Sequence, residues 1–169
     1  MSTTGNYLQS VIQLLKDYKR TGELAIRQIP EEKVFWQYNA ESNSVAIIVK
    51  HLWGNMLSRW TEFLNSNGEK SWRERDEEFE PGIETMEELW SKWEEGWQLL
   101  FDALEPLTED DLMRIVVIGN KEHTVVDAIS RQLAHYASHI GQIIYLAKML
   151  ADKPWESLSV PKGQSPKFN

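Results

Sequence analysis

Apolar residues recur along this chain at three- and four-residue steps in four separate stretches, and each stretch reads as an amphipathic helix. The first runs from about Asn6 to Gln28, with Leu8, Val11, Ile12, Leu15 and Tyr18 on one stripe and Pro30 closing it. The second runs from about Ser44 to Ser66 through Ile48, Leu52, Met56, Trp60 and Phe63; Ser44 is an N-cap residue and Asn67-Gly68 a stop. The third, about Thr85 to Leu104, opens on the capping box Thr85-Met-Glu-Glu88 and ends before Pro106. Trp90, Trp93 and Trp97 share one of its faces, as core or as a platform for a substrate. The fourth, about Thr124 to Ala151, opens on the capping signal Thr124-Val-Val-Asp127 and buries Ala128, Leu133, Ile140, Ile144, Leu146 and Leu150.

The remaining segments lack that period. Gly68 to Gly82 is a long charged connection. Arg114 to Ile118, a Gly-Asn turn and Lys121 to His123 alternate as a short hairpin. Asp152 to Asn169 is a tail with Pro154, Pro161, Gly163 and Pro166, expected to pack along the helices through Trp155, Leu158 and Val160. No internal repeat is visible. The pattern predicts an all-α, single-domain four-helix bundle over residues 1–169, with a long second-to-third connection and a hairpin-like insert before the last helix.

Composition narrows the function classes. At 169 residues the chain can bury a core without staples. Its formal charge is −8, with no basic stripe, so neither nucleic acid nor an anionic membrane is an expected partner. There are no cysteines, which excludes disulfides and thiolate metal sites. Met1-Ser-Thr-Thr-Gly-Asn6 lacks the basic and apolar regions of a signal peptide, and no apolar run is long enough to span a bilayer; a cytoplasmic location is expected. Eight tryptophans imply a rigid core, a pocket wall, or both.

The candidate chemistry lies in the histidines, of which there are four. His135 and His139 stand at i and i+4 on the fourth helix, so their rings stack on one face and can converge on one ion. His51 lies on the second helix among Ile47, Ile48, Val49, Leu52 and Trp53, an apolar setting for a polar ring. Three neutral imidazoles with a fourth position open form the arrangement of catalytic zinc sites, and imidazole also suits nickel, iron and copper. Asn55, Gln132 and Gln142 are spaced to orient the three rings from behind. On the residues alone, hydrogen-bonded core histidines explain the same pattern equally well.

Three stretches carry a family resemblance: His51-Leu-Trp-Gly-Asn-Met-Leu-Ser-Arg-Trp60, Gly68-Glu-Lys-Ser-Trp-Arg-Glu-Arg-Asp-Glu-Glu-Phe79, and His135-Tyr-Ala-Ser-His-Ile-Gly-Gln142. Together they resemble the DinB/YfiT-like metalloenzyme superfamily, and within it a small bacterial branch, over nearly the whole chain. That resemblance implies a four-helix bundle with one metal ligand on the second helix and two on the fourth. His51, His135 and His139 match those positions one by one; His123 matches none. Several relatives in the superfamily use a metal with glutathione, mycothiol or bacillithiol.

The resulting expectation is a metal-dependent enzyme that holds one divalent ion, zinc or nickel first, and acts on a small-molecule substrate. With a low-molecular-weight thiol as co-substrate it would be a transferase or isomerase, the thiolate serving as nucleophile. The alternatives are a metallohydrolase, and a non-catalytic bundle with a structural or vestigial metal site. Arg73 or Arg75 in the charged connection could contact an anionic substrate, if that segment is a lid; otherwise it is a solvated loop stapled by Trp72 and Phe79. Arg59 would bind a carboxylate near the site or pair with a glutamate on a neighbouring helix. Trp53 and Trp60 are expected to make the pocket partly apolar. No acid lies close to the histidines in sequence, so no general base is assigned. A homodimer is expected from symmetry and exposed aromatics.

Overall fold

In a computed structural model, which describes residues 3–164 and residue 167, four long helices enclose one core. They are α1 (Thr3–Ile26), α2 (Val45–Trp60), α3 (Met86–Leu104) and α4 (Val125–Leu150). A two-stranded antiparallel sheet, β1 (Ile115–Ile118) and β2 (Lys121–Thr124), precedes α4. The longest packing seams join α2 to α3 and α1 to α4, while α2–α4 and α1–α3 contacts close the ring. No helix among the described residues is long and apolar enough to cross a membrane.

Local chemistry sets where the helices begin. Ser44 accepts from the Ile47 amide, Thr85 from the Glu88 amide and Thr124 from the Asp127 amide, each at 3.1 Å. Each bond satisfies one of the amides a helix start leaves without a partner. The reciprocal half of the predicted box at Thr85 is displaced by one residue, since Glu88 accepts from the Glu84 amide.

The predicted end of α2 needs correction. The helix stops at Trp60 and not near Ser66, because Thr61 turns extended and Glu62 takes a φ of +51°. Lys70 Nζ and Ser66 Oγ donate to the Thr61 carbonyl that this turn frees, so the break leaves no orphan there. Phe63 still buries in the core.

The core explains most of the tryptophans. Trp60, Trp93 and Trp97 are fully buried, and Trp90 is half-buried under the Arg27 guanidinium. Trp60 Nε1 donates to the buried Tyr136 hydroxyl at 2.8 Å, which donates to Asn55 Oδ1 at 3.1 Å, so these two polar tips are satisfied, whereas the Trp97 indole N–H is buried with no hydrogen-bond partner among the described residues. The three-tryptophan face of α3 is therefore packing. In the tail, Trp155 and Leu158 pack against the core and Gln28 pairs with both backbone groups of Glu156, whereas Val160 is exposed. Met1, Pro166 and Asn169, named in the sequence reading, lie outside the described residues.

The long connection is folded, not loose. Asn67 bonds both backbone groups of Gly119 in the hairpin turn, and the Gly68 amide donates to the Val117 carbonyl at 2.8 Å. Gly119 takes a φ of +63°, the left-handed geometry of a tight two-residue hairpin turn. A 3₁₀ turn over Asp76–Phe79 then lays the far end of the connection against α2.

Candidate metal centre

His51 on α2 and His135 and His139 on α4 meet at one point. His135 Nε2 lies 3.0 Å from His51 Nε2 and 3.1 Å from His139 Nε2. The three candidate ligand atoms all lie within 4.8 Å of one another. Tetrahedral coordination at ordinary metal–imidazole lengths separates ligand nitrogens by roughly 3.3 Å. The two pairs that share His135 already stand near that spacing.

The partners of the outer ring nitrogens fix which atoms carry protons. Glu78 Oε2 lies 2.9 Å from His51 Nδ1. Arg73 holds the same carboxylate in a fork, Nε to Oε1 at 2.6 Å and Nη2 to Oε2 at 2.9 Å. Burial pushes the Glu78 carboxyl up, but the Arg73 hydrogen bonds and charge, with His51, hold it below the usual carboxylate range. A charged carboxylate only accepts, so His51 carries its proton on Nδ1 and a lone pair on Nε2. Gln142 Oε1, 2.8 Å from His139 Nδ1, sets the same tautomer there.

Two lone pairs therefore face His135 Nε2. One proton on that atom could satisfy only one of them, while His135 Nδ1 is itself buried without a partner. A cation at the centre accepts all three lone pairs at once, so the donor set fits a divalent ion. Gln132 Oε1 is also buried and unpartnered, three residues before His135 on the same face. One ordered water can bridge that acceptor to a proton on Nδ1. Burial, with the His139 and His51 rings beside it, pushes His135 down to about 3. Burial also lowers His139, against the Gln142 hydrogen bond. Neutral imidazole is the form a metal needs.

Gly54 makes the Glu78 contact possible. A Cβ there would lie 2.7 Å from Glu78 Oε1 and 2.9 Å from its Cδ. One turn after His51, α2 thus presents bare backbone, and the carboxylate crosses it to reach the ring. Phe79, next in chain, stacks on His51 with centroids 4.6 Å apart and planes at 26°, yet stays 43% exposed. It forms an apolar wall at the edge of the site.

Several expected roles change. Gln142 is the one of the three proposed outer partners that touches a ligand histidine. Asn55 instead accepts from Tyr136, and Gln132 bonds none of the rings. The Arg73 side chain is buried and paired with Glu78 and Glu69, so it holds the site's structure. Arg75 is exposed, with Glu69 at 3.8 Å. Arg59 donates to the Gly68 carbonyl at 2.9 Å and stands 3.8 Å from Glu69, a glutamate of the connection and not of a helix. Trp60 belongs to the core. Trp53 bonds Glu95 and lies under Lys92, so Phe79 supplies the apolar wall expected of these two. His123 pairs with Asp127, apart from the cluster. Sequence reasoning missed Glu78 and Gly54, and named Phe79 only as a staple of the connection. A glycine inside a helical pattern was the available signal, because it marks close approach of another group.

Fold and site define a helical protein with a three-histidine cluster able to hold a metal ion. The chain matches the family described as "Protein of unknown function (DUF1572)" over residues 2–164, and it belongs to that family. No curated protein matches it.

Two outcomes follow from the geometry. Gly54→Ala should displace the Glu78 carboxylate and weaken metal binding by about 10- to 100-fold, the usual worth of an outer partner. Competition of zinc between protein and a chelator measures this; unchanged affinity would mean Glu78 does not orient His51. The second outcome concerns pH. Between the ordinary histidine value of 6.5 and about 3, the unfolded chain binds a proton that folded His135 refuses. Stability of the metal-free protein therefore falls as pH drops through that window, and the lowered carboxyl of Glu78 adds to the loss at its acid end. Urea midpoints should decline from pH 7 to pH 5, less steeply in His135→Asn. A flat profile in the parent contradicts a histidine buried neutral.

Proposed function

We propose that this chain is a DinB/YfiT-like metal-dependent enzyme. It holds one zinc or nickel ion on His51, His135 and His139, and joins a low-molecular-weight thiol to a small electrophile or uses the thiol to isomerise one. The observation that carries this reading is the convergence of three Nε2 atoms whose lone pairs have no common acceptor among the described residues. The sequence resemblance supports it over the same residues.

A divalent ion in this position would act as a Lewis acid and lower the pKa of a coordinated water or thiol toward about 7. The chain's own groups do the rest. Glu78 and Gln142 keep His51 and His139 in the tautomers that turn Nε2 inward, and burial keeps His135 neutral. Three neutral nitrogens leave the charge of the ion uncompensated, which favours an anionic fourth partner. Phe79 shields one side from water, and a lower local dielectric strengthens that attraction.

One observation favours thiol chemistry over hydrolysis. A hydrolase gains about 10²- to 10⁴-fold from a free base that takes a proton from the attacking water. Among the described residues, the carboxylate that reaches the cluster is Glu78, and it is committed to Arg73 and His51. A thiol, more acidic than water from the outset, ionises beside the ion without such a base.

Protein purified without chelators should carry about one zinc or nickel per chain, and His135→Ala should lose it, read by elemental analysis. The loaded protein should consume a small electrophile only when thiol is added. Full occupancy in the variant would remove the three-histidine assignment; turnover of an ester or amide without thiol would replace the transferase reading with hydrolysis.

A further inference from the structure

A groove of about 520 Å³ runs between α4 and the segment leading into α2; none of the three candidate ligands lines it, and Gln142 links it to His139. Ile48 lines it one turn before His51, and Gln142, the partner of His139, lines it one turn beyond that ligand. Its size suits a small molecule. Ile48 and Leu146 give it an apolar floor, and Asn43, Ser138 and Gln142 offer neutral hydrogen-bonding groups. Tyr145 stands at its side, 68% exposed. Among the described residues its one charged side chain is Glu41; no lysine or arginine lines it.

A second observation marks the groove as a space the fold keeps open. Glycine inside a helix is destabilising relative to alanine, so a mid-helix glycine needs a reason. Three helical glycines have a packing reason: a Cβ would meet Trp93 at 2.6 Å from Gly22, Glu78 at 2.7 Å from Gly54, and Met56 at 3.0 Å from Gly96. Gly141 has none, since a Cβ there meets nothing within 4 Å, and Gly141 lines this groove. Packing does not call for a glycine; an unobstructed groove wall does.

We infer that this groove receives the part of a ligand that trails away from the metal, and that it accepts a neutral or cationic chain and disfavours an anionic one. The inference rests on the metal-site reading above and extends it to ligand class. The charge argument is direct. A carboxylate or phosphate lying along the groove would meet Glu41 with no cation to offset it, whereas an ammonium would pair with Glu41, and hydroxyl or amide groups would bond Asn43, Ser138 and Gln142. Methylene segments would lie on Ile48 and Leu146.

Cobalt-loaded protein, followed by its visible spectrum, tests this with four probes. Azide reports the open coordination position alone. Mercaptohexanol, aminohexanethiol and mercaptohexanoate share a sulfur and a chain length and differ only in charge, far enough from the sulfur that the distal group cannot chelate. Aminohexanethiol should bind about threefold tighter than the alcohol and mercaptohexanoate about threefold weaker, the worth of one exposed charge pair. Glu41→Gln should erase that ranking. Gly141→Leu, at an exposed position with room for the side chain, should lose affinity for all three thiols and keep azide. Gly141→Ala should raise the melting temperature. Azide binding with no ranking among the thiols, or long thiols indifferent to Gly141→Leu, overturns the groove assignment while leaving the metal site intact. A spectrum indifferent to azide as well overturns the open site, and the groove's role with it.

Discussion

Glu78 is buried at 7% exposure with its carboxylate between His51 and Arg73. A carboxylate in that position is costly unless its charge is matched and its lone pairs are filled. Arg73 supplies the charge and two hydrogen bonds, and His51 Nδ1 supplies another. The consequence passes straight to the ligand set. Because Glu78 remains ionised, His51 must donate to it, and the other nitrogen of the ring must present a lone pair to the centre. Remove the guanidinium and burial would push the carboxyl up with only His51 to oppose it, so the hold on the tautomer of His51 would loosen.

Much of the surrounding structure serves that pair. Gly54 leaves the surface of α2 bare where the carboxylate crosses it. The 3₁₀ turn over Asp76–Phe79 aims Glu78 inward and sets Phe79 on the His51 ring. Arg73 also reaches Glu69, Glu69 faces Arg59, and Arg59 holds the Gly68 carbonyl, whose amide is bonded to the hairpin. The charged connection is thus a brace running from the hairpin to the three-histidine cluster. Among its charges Arg73 pairs with Glu69 and Glu78, and Arg75 with Glu69; its most buried cation, Arg73, is the one that keeps a histidine in register.

Features that depend on neighbours in sequence were legible. The three helix caps, the hairpin and the i, i+4 histidine pair each rest on contacts within a few residues, so residue type and spacing suffice. His51 was legible too, as an imidazole in an apolar stretch with no local partner. The partner was not, for a physical reason. Glu78 lies 27 residues from His51, inside the acidic run Asp76, Glu77, Glu78 and Glu80. Which of four like carboxylates turns inward is decided by one 3₁₀ turn and the space over Gly54, neither of which composition reveals. The partnership of Arg73 with Glu78 was not legible either, because a charged residue in a long loop looks solvated until its burial is known. The end of α2 was misplaced for a similar reason, since Phe63 keeps the apolar period while the backbone has already left the helix at Thr61.

The central claim is that Glu78 and Gln142 turn three neutral histidines toward one ion and leave a fourth place open. X-ray absorption of the zinc-loaded protein in solution reads that shell directly. The account predicts three imidazole nitrogens at about 2.0–2.1 Å and one further light atom that is replaced by sulfur when a small thiol is added. A shell with two imidazoles, or one completed by a carboxylate oxygen and unchanged by thiol, would contradict it.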